Sequence, residues 1–138
     1  MSIYFFQEDI YFVPENTEQL KYWIIQIATD HHHLIRNLNY IFCSDQYLLN
    51  INKKYLNHEY FTDVITFNHS TRNKMIEGDI FISIDRVKEN SNTLKTSFQQ
   101  ELYRVIIHGL LHLIGYDDKN DLDKKQMRKK EDACLSLL

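Results

Sequence analysis

Two histidines, His108 and His112, lie four residues apart in an otherwise apolar stretch of the chain. In an α-helix this spacing puts both imidazoles on one face, about 40° apart in projection, so that both can bind one metal ion. Gly115 can end such a helix in a left-handed conformation, and the reversal that follows can bring Asp118 back to the imidazoles. Three such ligands plus a water make an open, catalytic-type site. The pattern predicts one divalent ion, zinc first, with nickel or manganese compatible with the same ligands.

Histidines at this spacing also occur in ordinary helix packing, so the neighbouring residues must decide between a metal site and simple packing. The spacing matches the long metzincin zinc-peptidase motif. In that motif the first histidine is followed by a second histidine after four residues, by a glycine after seven and by a third ligand after ten, as it is here. The glutamate that acts as general base in that motif is replaced here by Gly109. A metal-dependent peptidase or another small hydrolase is therefore an alternative interpretation that lacks its proton acceptor.

Three stretches of the chain resemble motifs of the YbeY family of single-domain endoribonucleases. Residues 108–118 resemble its signature HGxLHLxGYDH at every fixed position except the last, where Asp118 replaces histidine. Residues 62–67 resemble its TDVLSF box and residues 78–83 its GDI strand. Met127 and Glu131 stand where the family usually has methionine and glutamate. The resemblance runs from about Tyr40 to the C-terminus.

The resemblance implies a metal-dependent, single-strand-type endoribonuclease that acts on the 3′ end of small-subunit ribosomal RNA and in ribosome quality control. It implies ribosomal RNA and ribosome-associated proteins as partners, and a catalytic role for His108 and His112. Where the family has a catalytic arginine, this chain has Leu56, so that role is absent or has moved to Lys53 or Lys54. The leucine favours a third interpretation, a non-catalytic ribosome-associated module with a structural metal.

Apolar periodicity predicts one α+β domain, α/β-like, over residues 1–138. A roughly four-stranded mixed sheet packs on helices, with the metal-binding helix at its centre. Strands are predicted near residues 3–6, 38–43, 64–67 and 78–84, and helices from residue 16, after residue 43, and near residues 86–90, 98–113 and 122–137. Asp85 is the predicted cap of the helix at 86–90.

The predicted helix at 98–113 begins with a capping box formed by Ser97 and Gln100. It is apolar almost all round, which is typical of a buried, central helix. A buried histidine or carboxylate without partners is costly, so we expect the histidines and Glu101 of this helix to have their polar atoms satisfied.

The last predicted helix carries basic residues on its outer side. They form either a solvated face or a strip that contacts RNA phosphates without reading bases. The net charge of −3 excludes a generic polyanion binder, so RNA binding requires a local patch. The predicted RNA-binding residues are Lys124, Lys125, Arg128 and Lys129.

The sequence predicts a cytoplasmic protein. No apolar run has membrane-spanning length, and the N-terminal residues lack the basic region and cleavage site of a signal peptide. The two cysteines, Cys43 and Cys134, are far apart in the chain and are interpreted as reduced thiols. A monomer is compatible with this composition.

Overall fold

Four strands and five helices make up the part of the chain that the computed structural model describes, residues 2–138. The strands are β1 (Ser2–Gln7), β2 (Leu34–Cys43), β3 (Val64–Asn68) and β4 (Met75–Ser83). The helices are α1 (Thr17–Asp30), α2 (Asp45–Leu56), α3 (Ile84–Leu94), α4 (Phe98–Ile114) and α5 (Asp121–Leu135). Within residues 2–138, none of the helices is both long and apolar enough to cross a membrane.

The strands form one mixed sheet in the order β1-β2-β4-β3. Strands β1, β2 and β4 run parallel, and β3 pairs with β4 in the antiparallel direction. The predicted α+β fold with a four-stranded mixed sheet is confirmed. The short β3 therefore lies at one edge of the sheet, and β1 lies at the other.

Helix α4 is the central helix, as predicted. The Ser97 side chain accepts a hydrogen bond from the Gln100 backbone N–H at 3.1 Å, which confirms the predicted cap. From there α4 packs against β3 and β4 on one side and against α1, α3 and α5 around it. Its residues Leu102, Ile106 and Leu110 are fully buried. The predicted metal-binding histidines are thus carried by a helix that is fixed on several sides.

Gly109 allows α4 to approach β4 closely. A Cβ at this position would lie 2.7 Å from Ile80 Cγ2. Alanine gains up to about 1 kcal/mol of helix propensity over glycine, but overpacking a core costs about 1–3 kcal/mol. We expect Gly109→Ala to lower the free energy of unfolding measured in urea. An exposed control, Gln126→Ala, should change it by less than about 0.5 kcal/mol, and a stabilised Gly109→Ala protein would contradict this packing.

The boundary between β4 and α3 differs from the prediction. Strand β4 ends at Ser83, and Ile84 already begins α3. The predicted cap Asp85 is wrong, because the Ser83 side chain accepts the hydrogen bond from the Arg86 backbone N–H at 3.1 Å. The Asp85 carboxylate instead accepts from the Asp45 backbone N–H at 3.0 Å. Asp85 thus joins the starts of α2 and α3.

Candidate metal centre

Three side chains converge at the C-terminal end of α4. His108 Nε2 and His112 Nε2 are 3.0 Å apart, and Asp118 Oδ2 lies 3.2 Å from the first and 3.5 Å from the second. Gly115, with a φ of 126°, ends the helix. Its backbone N–H bonds to the carbonyls of residues 111 and 112, and the chain then reverses. That reversal returns Asp118 to the two imidazoles.

The spacing of these three atoms fits a divalent ion. Ligands bound at about 2.0–2.1 Å around a tetrahedral zinc ion stand about 3.3 Å from one another. The separations of 3.0, 3.2 and 3.5 Å lie on both sides of that value. The three side chains are partly exposed, which leaves a coordination position accessible to water. The donor set of two imidazoles and one carboxylate therefore fits a catalytic-type site.

Glu131 of α5 orients His108, the first predicted ligand. Its Oε2 lies 2.7 Å from His108 Nδ1, and because an ionised carboxylate only accepts hydrogen bonds, Nδ1 carries the hydrogen. The lone pair of neutral His108 then lies on Nε2 and points at His112 and Asp118. Arg104 donates to the other oxygen of Glu131 at 2.9 Å. An imidazole lone pair and a carboxylate oxygen thus face each other, an arrangement that a cation stabilises.

The same contacts set the pKa values of this pair. Burial acts to raise the pKa of Glu131, but hydrogen bonds from His108 and Arg104 outweigh it and hold the pKa below its usual range. Burial acts to lower the pKa of His108, but the hydrogen bond and charge of Glu131, with Asp63 and Asp118, raise it. A more basic imidazole is also a stronger metal ligand.

The role of Glu131 can be tested against its neighbour. Arg104 bridges Glu131 and the exposed Asp132, but only Glu131 contacts His108. We expect Glu131→Gln to raise the dissociation constant for zinc about 10- to 100-fold, because the histidine loses its carboxylate partner. Asp132→Asn should leave it close to the wild-type value. Competition with a chromophoric chelator measures both, and equal constants in the two variants would contradict the role of Glu131.

Two cavities meet at the predicted ligands. The β3-side cavity, about 330 Å³, lies between α2, β3 and the loop that joins them. The α5-side cavity, about 310 Å³, lies between α3, α4 and α5. His108, Asp118 and Asp63 line both cavities. An ion at this point would be reachable from either side.

Helix α5 divides the predicted RNA-binding residues between two surfaces. Lys124 and Arg128 line the α5-side cavity next to the predicted ligands. Lys125 and Lys129 line a separate depression on a neighbouring face of α5. Residues four apart share a helix face, so each pair stays together, and the second pair is rotated by about 100° from the first.

The predicted substitutes for the family arginine lie away from the cavities. Leu56, at the arginine's position, lines the β3-side cavity and is 41% exposed. Lys53 and Lys54 are exposed on α2, outside the linings of both cavities, and Lys54 Nζ lies 5.2 Å from the ring centroid of Tyr55. The position of the arginine thus faces the site, and the catalytic role of the two lysines stays a prediction.

Sequence reasoning did not assign a role at the site to Asp63 or Glu131. Asp63 lies immediately before β3, and burial raises the pKa of its carboxyl group. Glu131 lies on the buried stripe of α5 with Met127 and Cys134. The signal for Glu131 was available, because a carboxylate at helical spacing within an otherwise apolar stripe needs a partner.

Comparison with known proteins agrees with the motifs. Residues 3–138 match the family model described as Endoribonuclease YbeY. The chain belongs to this family. A relative named Endoribonuclease YbeY from Cytophaga hutchinsonii is 50% identical over 136 residues, covering 99% of this chain and 95% of the relative. Another of that name, from Amoebophilus asiaticus, is 48% identical over 97% of this chain and 91% of its own length.

A solved structure shows the same fold. The solution structure of TM1509 from Thermotoga maritima superposes with a TM-score of 0.68 at 27% identity, covering 98% of this chain and 87% of that one. The motif resemblance began near Tyr40, whereas the family match begins at residue 3. Strand β1 and helix α1 therefore belong to the shared domain, and the family prediction is confirmed.

Proposed function

We propose that this protein is a metal-dependent endoribonuclease with one zinc ion held by His108, His112 and Asp118. The observation that carries this proposal is the convergence of three ligand atoms within 3.5 Å of one another at the junction of two cavities. The name of the family agrees with it. When bound, zinc would polarise a phosphoryl oxygen and lower the pKa of a bound water, two effects that need no separate base.

The chain's own residues supply orientation and proton chemistry. Arg104 and Glu131 hold His108 in the tautomer that ligates. The Asp63 carboxyl lines both cavities beside the ligands, and burial raises its pKa. A carboxyl group at this place can exchange a proton with a leaving oxygen. We therefore assign Asp63 to proton transfer at the scissile bond.

The alternatives are not favoured. In the peptidase interpretation the general base would stand at residue 109. A side chain at that position would clash with Ile80 of the sheet. The curated relatives carry the name of an endoribonuclease, so a purely structural metal in a binding module lacks support as well. We propose ribosomal RNA as the substrate and a cytoplasmic role in small-subunit RNA maturation.

The zinc-loaded protein should cleave an RNA fragment that contains the 3′ region of small-subunit ribosomal RNA. We expect cleavage to stop with a chelator and to return when zinc is added back. Cleavage that continues unchanged in the chelator would contradict the proposal. If His112→Ala protein also cleaved as well as the wild type, a contaminating nuclease would account for the cleavage.

The basic residues can be tested as two matched pairs. Lys124→Ala/Arg128→Ala and Lys125→Ala/Lys129→Ala remove the same charge from the two faces of α5. We expect only the first pair to weaken RNA binding and to reduce the slope of log K against log salt by about 0.7 for each lost phosphate contact. Fluorescence anisotropy at several salt concentrations measures this slope. Equal effects of the two pairs would mean that net charge alone binds RNA.

A further inference from the structure

Glu101 is a buried carboxylate that the proposed metal site does not use. It is only 4% exposed, and its Oε1 has no hydrogen-bond partner among residues 2–138. The expectation that every polar atom of α4 would be satisfied is therefore wrong for this residue. Glu101 lines the α5-side cavity together with His108 and Asp118. A buried acceptor without a donor is costly, so its place in a cavity suggests that a bound molecule supplies the donor.

The surroundings of Glu101 suit a flat, partly apolar ligand. Val105 and Met127 are almost fully buried and form apolar walls, with Leu94 at the edge. Two basic residues, Lys124 and Arg128, line the same cavity. Its volume of about 310 Å³ is at the lower end of the range for small-molecule pockets. Apolar walls fit the faces of a nucleobase, and the two cations fit the phosphates beside it.

The carboxylate of Glu101 selects among the bases by its chemistry. Its two oxygens accept hydrogen bonds and donate none while it is ionised. Only guanine presents two adjacent donors on its Watson–Crick edge, N1–H and the N2 amino group. Adenine and cytosine present a donor beside a ring nitrogen lone pair, which repels a carboxylate. Burial and then the charge of Asp63 raise the pKa of Glu101 by more than the charges of Arg104 and Arg128 lower it. Two N–H donors from a ligand would further stabilise the ionised form.

We propose that the α5-side cavity is a guanine subsite beside the cleaved phosphate, in which Glu101 accepts hydrogen bonds from N1–H and the N2 amino group. Single-stranded RNA exposes this edge of its bases, and proteins that read such RNA use it. The inference rests on the proposed endoribonuclease function for the position of the phosphate. It adds a base preference to that function, because a guanine would be held within reach of the ion.

Nucleotide binding tests the subsite without any need for cleavage. Titration calorimetry with the full chain compares guanosine, inosine and adenosine 5′-monophosphates, with and without zinc. Inosine lacks only the N2 amino group of guanosine. We expect inosine monophosphate to bind about tenfold more weakly than guanosine monophosphate, and adenosine monophosphate more weakly still. Equal affinities for the three nucleotides would overturn the guanine subsite.

The variant Glu101→Gln tests the residue itself. Glutamine keeps the shape but replaces one acceptor with a donor, so the preference for guanosine over inosine monophosphate should disappear while the zinc content stays the same. Glu89→Gln, which removes an exposed charge from α3, should keep the preference. An unchanged preference in Glu101→Gln would overturn the assignment. Loss of zinc from Glu101→Gln would also overturn it, since Glu101 would then act through the ion.

Cleavage separates the inference from the function on which it rests. The substrates are oligouridylates of eight nucleotides that carry one guanosine, inosine or adenosine. We expect cleavage beside guanosine to exceed cleavage beside adenosine by about tenfold or more. Cleavage without base preference, together with equal nucleotide affinities, would refute the subsite and leave the endoribonuclease intact. Selective guanosine monophosphate binding without any cleavage would support the subsite and refute the endoribonuclease.

Discussion

Replacing His112 with alanine is expected to empty the metal site and to reduce RNA cleavage by more than about a hundredfold. The hundredfold loss of cleavage is a lower bound. Mutation of a residue that merely hydrogen-bonds to a metal ligand already lowers metal affinity or activity by about 10- to 100-fold. Without His112 the ion would keep only His108 and Asp118 from the three atoms that converge. We expect the His112→Ala protein to fold and α4 to form, because His112 is only partly buried and packs outside the core.

A matched histidine variant makes this result specific. His58 lines the same β3-side cavity but lies outside the cluster of ligands. His58→Ala should keep one zinc per chain by elemental analysis, whereas His112→Ala should keep close to none. Equal zinc content in both variants would contradict the ligand assignment. Equal cleavage by His112→Ala and wild-type protein would show that the activity comes from a contaminant.

Removing the ion is expected to destabilise the wild-type protein strongly. A ligand present at about 1,000 times its dissociation constant stabilises the folded state by about 4 kcal/mol. For a chain of this size that corresponds to a change in Tm on the order of 10 °C. The physical reason is that the proposed ion would join α4 to the reversal after Gly115, through the histidines and Asp118.

The control for this measurement is the His112→Ala protein. Calorimetric scans with zinc and with excess chelator should differ for the wild type and should coincide for the variant. A chelator effect of equal size on both proteins would mean that the stabilising ion binds elsewhere. A large stability change with unaltered RNA cleavage would support the purely structural metal that the family relationship does not favour.

The cluster of His108, His112 and Asp118 could be predicted from the sequence because its geometry is local. The spacing of His108 and His112 fixes their common face, and Gly115 marks the end of the helix and the reversal to Asp118. All of this is contained within eleven consecutive residues. The central position of α4 follows in the same way from its nearly continuous apolar surface.

The residues that sequence reasoning did not place depend on tertiary contacts. Glu131 reaches His108 from α5, 23 positions further along the chain. Glu101 lies on the same helix as the ligands, but whether its carboxyl group meets a donor depends on what α3 and α5 bring next to it. Helical spacing also predicts that Lys124 and Arg128 share one face. Which face of α5 turns toward the ion is decided only by how α5 packs on α4.

The prediction at Asp85 shows a smaller error with the same origin. Alternating apolar residues extend the predicted strand to residue 84, so the next polar residue was interpreted as the cap. In the structure Ser83 takes that role, and its side chain also donates a hydrogen bond to Asp45 at 2.6 Å. That second contact, between the starts of α3 and α2, fixes the boundary and leaves no trace in the local sequence.

Anomalous diffraction at the zinc edge tests the account most directly. Crystals grown without chelator and soaked in zinc should show one strong peak about 2.0–2.1 Å from His108 Nε2, His112 Nε2 and an Asp118 oxygen. A water or another small ligand should occupy the fourth position. Absence of the peak, with the Asp118 carboxylate turned away from both imidazoles, would contradict the metal centre and the endoribonuclease proposed from it.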